Sequence, residues 1–429
     1  MIPSLAISAV TIVAFLMSVL FFPSIGKKRR FKIYPLIPLV GALVMIAFSS
    51  LTFKEVISCF TENTSVNPVK ILVLFLSMTV YSLILDKTGF FVYVSNAVLR
   101  RAGKNQFKLF LALYAVISVL TVFTSNDIVI LTFTPFICHF CIAAKIHAAP
   151  YLIMEFVAAN TWSMLLLIGN PTNIYISGAF GITFADYLVN MALPAVCAGA
   201  VSLCVMLALF ARNLKTDISA ETQSCEITDV PLMTVALVHL IICIILLSIS
   251  QYINIEMWLV SLGVALSAIV CSLLVLSLRK KSVAPVWVSL KGLPYEIIPF
   301  VVGMFVIVLA LDNAGVTAFL AGIIGKGEPT FSYGMSSMLA SNLLNNIPMS
   351  VLFSKILSVS ATEKAIYATI AGSNIGAFLT PVGALAGIMW SNIIKQNGVR
   401  MSIGKFVIYG VCIGVPTMIS LLFVIMLTV

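Results

Sequence analysis

Apolar runs of roughly 20 residues follow one another from Leu5 to Leu427, broken only by short polar stretches. At about 1.5 Å of rise per residue, such a run makes a helix of about 30 Å, the thickness of a bilayer's hydrocarbon core. Hydrocarbon offers no partner for backbone N–H and C=O groups, so the chain must satisfy them within each segment as helix. Hydrophobic residues make up 61% of the chain and charged residues 9%, with a mean hydropathy of +1.13. Soluble domains average roughly 45–50% apolar. No polar stretch is long enough for a separate soluble domain.

The net charge of +10 would suit a nucleic-acid binder, but the basic residues fall between apolar runs rather than along one face. They read as orientation signals, and no nucleic-acid partner is expected. The first run, Leu5 to Phe22, has no basic residue ahead of it and Lys27-Lys28-Arg29-Arg30 behind it. That is the reverse of a cleavable signal, so it is expected to be a retained first span. Nine cysteines are scattered, mostly within apolar runs. Cys138-His139-Phe140-Cys141 spells C-x-x-C but lacks a second ligand pair, so neither a disulfide framework nor a metal site is expected.

The informative residues are polar ones in apolar surroundings. Phe123-Thr124-Ser125-Asn126-Asp127-Ile128 joins the runs Phe107–Val122 and Ile128–Ala144, and Ser341-Asn342-Leu343-Leu344-Asn345-Asn346-Ile347-Pro348 joins Tyr333–Leu344 and Ile347–Val359. These runs are shorter than a full crossing, so each pair is predicted to dip into the membrane and return. A fourth span beginning near Tyr151 is interrupted at Gly169-Asn170-Pro171-Thr172-Asn173, where proline removes a donor and disfavours helix before it. A ninth, beginning near Ala365, is interrupted through Gly372-Ser373-Asn374-Ile375-Gly376 and Thr380-Pro381-Val382-Gly383. The remaining spans are Tyr34–Leu51, Val69–Leu85, Leu188–Ala211, Val230–Ser250, Met257–Leu278, Ile297–Leu311 and Phe406–Leu427.

One order of landmarks occurs twice, about 220 residues apart: an aspartate-glycine span end (Asp86 to Gly89, Asp312 to Gly315), an amide-rich turn, then a broken span. The predicted fold class is an all-α polytopic membrane protein with two inverted-topology repeats, about ten transmembrane helices, two re-entrant hairpins and broken helices. Its parts are a first repeat 1–211 with hairpin 107–144, a cytoplasmic linker 212–229, and a second repeat 230–429 with hairpin 331–359. Charge tests the inversion. With both termini outside, twenty of the 25 Lys and Arg fall on the inner face, leaving only Lys54, Lys70, Lys326, Lys355 and Lys364 outside, as the positive-inside rule demands. The expected location is the plasma (inner) membrane.

Inverted repeats with broken helices are the mark of secondary transporters, and the hairpin tips are expected to meet the breaks near the midplane. The candidate solute-binding residues are Ser125, Asn126, Asn170, Thr172, Asn173, Asn345, Asn346, Ser373, Asn374 and Thr380. Asp127 is the candidate proton or cation carrier, since an unpaired carboxylate there takes up a proton sooner than it stays charged. The amides also suit helix capping or interhelical bonding. Asp86 and Asp312 suit capping or ion pairing at span ends, and Glu155 suits snorkelling or a partner such as Lys145.

These residues resemble the ion transporter superfamily, and within it the ArsB-type arsenite and antimonite efflux permeases. The resemblance rests on Asn126-Asp127 followed by Leu131-Thr132-Phe133-Thr134-Pro135, on Asn170-Pro171-Thr172-Asn173-Ile174 and on Asp312-Asn313-Ala314-Gly315-Val316-Thr317. Asn345-Asn346-Ile347-Pro348 and Thr380-Pro381-Val382-Gly383 complete it. It implies export of a trivalent metalloid hydroxide in exchange for protons, sometimes with a soluble ATPase partner. One departure is Ser373-Asn374-Ile375-Gly376, where the resemblance implies cysteine-aspartate-leucine-glycine.

Carboxylate carriers of the superfamily show serine-asparagine-threonine at the hairpin tips. Here the third position is Asp127 in one tip and Asn346 in the other. A carboxylate would repel a dianion, so a neutral polyhydroxyl solute or a small cation fits better. The expected partners are therefore a small inorganic solute, protons and the bilayer. No cofactor is expected beyond the proton gradient or Na⁺, and no catalytic residue. A Na⁺/H⁺ antiporter and a sodium-coupled organic-anion carrier remain the alternatives.

Overall fold

In the computed structural model, residues 2–21, 32–48, 51–62, 67–215, 218, 227–250, 252–359 and 362–429 are described. The basic run Lys27–Arg30 and most of the 212–229 linker, with Cys225, lie outside them. Among the described residues, ten α-helices in the first half are followed by ten in the second, in matching order. The first ten are α1 Ile2–Phe21, α2 Ile37–Ala47, α3 Phe53–Thr61, α4 Pro68–Lys87, α5 Phe90–Ala102, α6 Gln106–Phe123, α7 Asn126–Ala143, α8 Ala148–Trp162, α9 Pro171–Ala179 and α10 Phe184–Phe210. Their counterparts are α11 Val230–Ile249, α12 Met257–Leu278, α13 Ala284–Lys291, α14 Ile297–Asn313, α15 Val316–Ile324, α16 Pro329–Leu344, α17 Asn346–Leu357, α18 Glu363–Ile375, α19 Leu385–Gln396 and α20 Ile403–Thr428.

The local signals repeat as well. Gly89 before α5 and Gly315 before α15 both take the left-handed conformation, at φ 79° and 76°, where a side chain would be strained. Their amides close the same turn onto Asp86 and Asp312 carbonyls at 3.0 and 2.9 Å. Packing repeats by the same exchange of halves: α2 lies on α14 as α12 lies on α4, and α7 lies on α19 as α17 lies on α9.

Two ion pairs fix the direction of the repeats. Lys32, ahead of α2, pairs with Glu296 at the start of α14, and Lys70 in the first turn of α4 pairs with Glu256 at the start of α12. Helices α2 and α4 are consecutive spans joined through surface helix α3, so they start on opposite faces. Helix α14 starts beside α2, hence opposite to its own counterpart α4. The halves are inverted. The ends agree, since Asn313 closing α14 donates to Glu55 of α3 at 3.1 Å, and the Thr228 amide ahead of α11 donates to the Thr88 carbonyl at the end of α4 at 3.0 Å.

The hairpins are identified by the same logic. Tyr151 early in α8 donates to the Gln106 side chain opening α6 at 3.0 Å, so α6 and α8 start on one face and the α6–α7 pair returns to the side it leaves. In the second half Lys364 at the start of α18 acts on the charge of Glu328 at the start of α16, and it donates to the Met426 carbonyl near the end of α20 at 2.8 Å.

Lengths differ in detail from expectation. The limbs α6 and α7 have 18 residues each, about 27 Å, because Asn105 and Ser125 cap them beyond the apolar cores. Helix α2 has only 11 residues. Among the described residues seven helices are long and apolar enough to cross a membrane, α4, α6, α7, α10, α11, α12 and α20, and α14 with α15, bent by 78°, makes an eighth. With the hairpin limbs α6 and α7 set aside, six of these are spans, and α1, α2 and the two broken spans complete the expected ten. The short helices α3, α5, α13 and α15 were not anticipated.

Burial separates scaffold from site. Every residue from Pro150 to Thr161 in α8 and from Ala365 to Ile375 in α18 is buried, so the broken spans form the centre. Helices α11 and α12 instead expose apolar rows such as Ile241, Ile245, Leu266 and Val270, suited to lipid.

Candidate functional site at the crossing of the two broken helices

After Trp162 the chain leaves helix, makes a short 3-10 turn at Leu167–Gly169, and re-enters helix at Pro171 with Asn170 as cap. After Ile375 a 3-10 turn at Gly376–Phe378 leads into a turn closed by the Gly383 amide on the Thr380 carbonyl at 3.0 Å, and α19 starts after Ala384. The breaks release backbone groups that a continuous helix would have used, and amide side chains take them up.

Asn374 is the junction between halves. Its Oδ1 accepts from Asn170 Nδ2 at 2.8 Å and from the Ser163 hydroxyl at 3.0 Å, and its Nδ2 donates to Asn173 Oδ1 at 2.8 Å and to the Ile370 carbonyl at 2.9 Å. Asn173 Nδ2 in turn donates to the Ser163 carbonyl at 2.8 Å. Backbone carbonyls therefore fix which end of each amide is nitrogen. The Thr172 and Ser373 hydroxyls meet at 3.0 Å. All six side chains are buried.

The hairpin tips attach to this junction, each through its own half. Asn126 Nδ2 donates to Asn160 Oδ1 at 3.0 Å, and the Ser163 hydroxyl also reaches the Asn160 carbonyl at 2.9 Å. Asn345 Nδ2 donates to the Val382 carbonyl at 2.9 Å, Asn342 Nδ2 to the Gly376 carbonyl at 2.8 Å, and the Thr380 hydroxyl to Asn342 Oδ1 at 2.8 Å. Among these bonds none joins tip to tip directly; the breaks lie between them. Ser125 caps α7, accepting from the Ile128 amide at 3.5 Å. Asn345 holds φ 77° and ψ 154°, a region that belongs almost wholly to glycine and costs of order 1–3 kcal/mol.

The tips match in a register different from the one read in the sequence. There Asp127 stood against Asn346. In the fold the caps are Ser125 and Asn345, and the first residues of the returning limbs are Asn126 and Asn346. The first tip has two residues between its helices and the second has one, which shifts the match by one place. The corresponding amides share a further property: Asn126 Oδ1 and Asn346 Oδ1 are both buried without a hydrogen-bond partner. Among the described residues no hydrogen bond or ion pair is found on the Asp127 carboxylate, 7% exposed. Both tips thus present acceptors and lack Lys or Arg.

Sequence reasoning overlooked Asn160, Ser163 and Asn342 as members of the site. Asn160 and Ser163 are three apart, hence on one face of α8's last turn, which was the available signal. Glu155 neither snorkels nor meets Lys145: it is fully buried, with its Oε1 2.8 Å from the Thr134 hydroxyl. Asp312 pairs with Lys355 at 3.3 Å, and Asp86 with Lys87 at 3.0 Å.

Comparison with known proteins gives the same architecture. The family described as citrate transporter (CitMHS) matches residues 12–371. An arsenical pump membrane protein of Escherichia coli is 26% identical over 365 residues, covering 80% of this chain and 83% of that one. The protein of that name from Yersinia enterocolitica is 27% identical with the same coverage, and a 46 kDa membrane protein of Mycobacterium leprae is 26% identical over 88% of this chain and 90% of its own. In fold, the chain is similar to the YdaH transporter of Alcanivorax borkumensis, described as having an unusual topology, with a TM-score of 0.54 at 13% identity over 99% and 97% of the two chains. With a family match over most of its length, two mirror-opposed sets of helices and buried amides at their crossing, the chain belongs to the citrate transporter (CitMHS) family of membrane transporters.

Proposed function

We propose that the protein exports a trivalent metalloid hydroxide, arsenite or antimonite, in exchange for protons by alternating access. The observation that carries this reading is that each hairpin tip holds a buried, unpartnered amide oxygen, Asn126 Oδ1 in one and Asn346 Oδ1 in the other, with Asp127 next to Asn126 in the chain. A buried acceptor without a donor costs about 1–3 kcal/mol, and a solute bearing hydroxyls relieves both. An oxyanion such as citrate brings only more acceptors and negative charge, and among the described residues no cation stands at either tip to offset it. Relatives named arsenical pump membrane protein support the same solute class.

In this proposal the solute occupies the space among Ser125, Asn126, Asn345, Asn346 and the junction of Asn170, Thr172, Asn173, Ser373, Asn374 and Thr380. Asp127 is the proton carrier. A cavity of about 360 Å³ lined by Lys70, Tyr175, Glu256 and Trp258 reaches Pro171 and Ile174, the neighbours of Thr172 and Asn173, and gives access from the face where α4 starts. The repeats, residues 1–211 and 230–429, rock about the junction, with both termini outside the plasma (inner) membrane. No cofactor takes part, and a soluble ATPase would dock on the inner loops.

Proteoliposomes with an imposed pH gradient test this. Arsenite or antimonite accumulation driven by the gradient is expected, and Asp127→Asn abolishes the drive. Absence of metalloid flux alongside robust citrate flux would overturn the assignment. A Na⁺/H⁺ antiporter is the second reading, because Na⁺ can use the same oxygens as ligands; Na⁺-dependent collapse of the pH gradient without metalloid flux would select it.

A further inference from the structure

We infer that Glu155 is a second proton-binding site, placed between Asp127 and the face on which α8 starts, and that it gives up its proton when α19 moves relative to α7 and α8. The inference rests on the proton-exchange reading above and deepens it.

Hydrogen-bond counting is satisfied when Glu155 holds the proton. Thr134 Oγ1 lies 2.6 Å from the Ile130 carbonyl and 2.8 Å from Glu155 Oε1. The hydroxyl has one proton and the carbonyl only accepts. With that proton on the shorter contact, the contact to Glu155 holds only if Glu155 is the donor, that is, a neutral acid. Its surroundings agree. The side chain is wholly buried, no ion pair reaches it among the described residues, and an isolated carboxylate in such a place neutralises sooner than it stays charged.

The groups around it come from both halves. Cys138 of α7 is the titratable side chain found facing it. On the other helices packed against α8, Tyr114 of α6 bonds to the Gly199 carbonyl, Tyr187 of α10 to the Met164 carbonyl, and Tyr367 of α18 to Asn190. From α19 the Trp390 ring packs on Phe156, the neighbour of Glu155 in α8, and its indole N–H acts on the carboxyl. Glu155 Oε2 and Trp390 Nε1 are both buried and unpartnered, an acceptor and a donor left waiting in one contact between the halves. Trp390 is itself wedged between Phe156 and Phe406, at ring-centroid distances of 5.2 Å each.

This is a two-position device. In the neutral state the Glu155 proton points to Thr134 and the Thr134 proton to Ile130. On release the Glu155 O–H bond breaks, its electron pair stays on the carboxylate, and the proton passes to water. The Thr134 hydroxyl then turns to Oε1 while the indole N–H closes on Oε2, supplying the two donors that a carboxylate needs. Position suits a relay. Thr134 is seven residues from Asp127 on α7, about 10 Å along the axis and on the same face, and Glu155 is seven residues from the start of α8.

The test uses purified full-length protein in lipid nanodiscs and infrared absorption of the protonated carboxyl C=O. At neutral pH the parent is expected to show a band that Glu155→Gln removes and that shrinks when sodium arsenite is added or the pH is raised to about 9. Glu155→Gln keeps a donor for Thr134 and an acceptor for Trp390, so arsenite counterflow, which needs no net proton movement, is expected to persist while gradient-driven accumulation is lost. A carboxyl spectrum unchanged by Glu155→Gln, a Glu155 band indifferent to both pH and arsenite, or undiminished gradient-driven accumulation by that variant would each overturn the inference. If the parent's arsenite flux ignores the pH gradient, the exchange reading falls, and the band's response to pH then decides for or against a proton site at Glu155.

Discussion

Asn374→Asp is the sharpest probe of the junction, because it changes one NH₂ for one oxygen and almost nothing in shape. The new carboxylate can still accept from Asn170 and Ser163, which now lie at 2.8 and 3.0 Å from Oδ1. Its second oxygen, however, would face Asn173 Oδ1 and the Ile370 carbonyl, both acceptors at 2.8 and 2.9 Å from the present Nδ2. Asn173 cannot flip to rescue the contact, since its own Nδ2 serves the Ser163 carbonyl. Orphaned buried groups cost about 1–3 kcal/mol each, whereas interhelical bonds in membranes average only about 0.6 kcal/mol. The larger figure governs here, because bonds are replaced by facing acceptors rather than merely lost. A destabilisation of about 3 kcal/mol is expected at neutral pH, with stability recovered in acid as the protonated carboxyl again donates to Asn173. Thermal unfolding in nanodiscs across pH, with Asn374→Ala as reference, reads it. An Asn374→Asp protein as stable as the parent at neutral pH, with no gain in acid, would refute the assigned network.

Three further outcomes follow from single contacts. Asn345→Gly relieves a backbone strained by about 1–3 kcal/mol but removes the bond to the Val382 carbonyl; unfolding stability is expected to change little while solute flux falls at least tenfold. Gly410→Ala would drive a Cβ of α20 into the Phe378 carbonyl oxygen of the 3-10 turn, and a loss of about 3 kcal/mol is expected, read by thermal unfolding. Asp229, capping α11, feels burial most, but hydrogen bonds from Lys281, the Leu232 amide and Arg279 outweigh it and hold the carboxyl below its ordinary value. A depressed folded value means stability that is present above the unfolded value and lost as pH falls through the folded one, so thermal stability should drop below about pH 4, and Asp229→Asn should flatten that drop.

What the sequence disclosed, it disclosed through contrast. Asn126, Asp127, Asn345 and Asn346 were visible because polar residues amid apolar runs have few innocent explanations, and Pro171 and Pro381 marked where helices could not continue. The repeat was legible from landmarks in order, not from identity. The hidden parts had no contrast to show. Helices α3 and α13, at 9 and 8 residues, are too short for periodicity to separate them from loops. The one-place shift between tips depends on Asn345 adopting a glycine-like backbone, which no residue pattern announces. Glu155 looked like a residue free to reach water; only the fold places α7 and α19 over it.

The central claim is that two acceptor-rich tips form one site for a hydroxyl-bearing solute. Thermal stabilisation of the purified protein by arsenite, antimonite, Na⁺ and citrate, repeated on the Asn126→Ala/Asn346→Ala double variant, tests it most directly. A true ligand at a hundred times its Kd adds about 2.7 kcal/mol. Stabilisation of the parent by arsenite or antimonite, lost in the double variant, is predicted; stabilisation by citrate that the double variant retains would contradict the account.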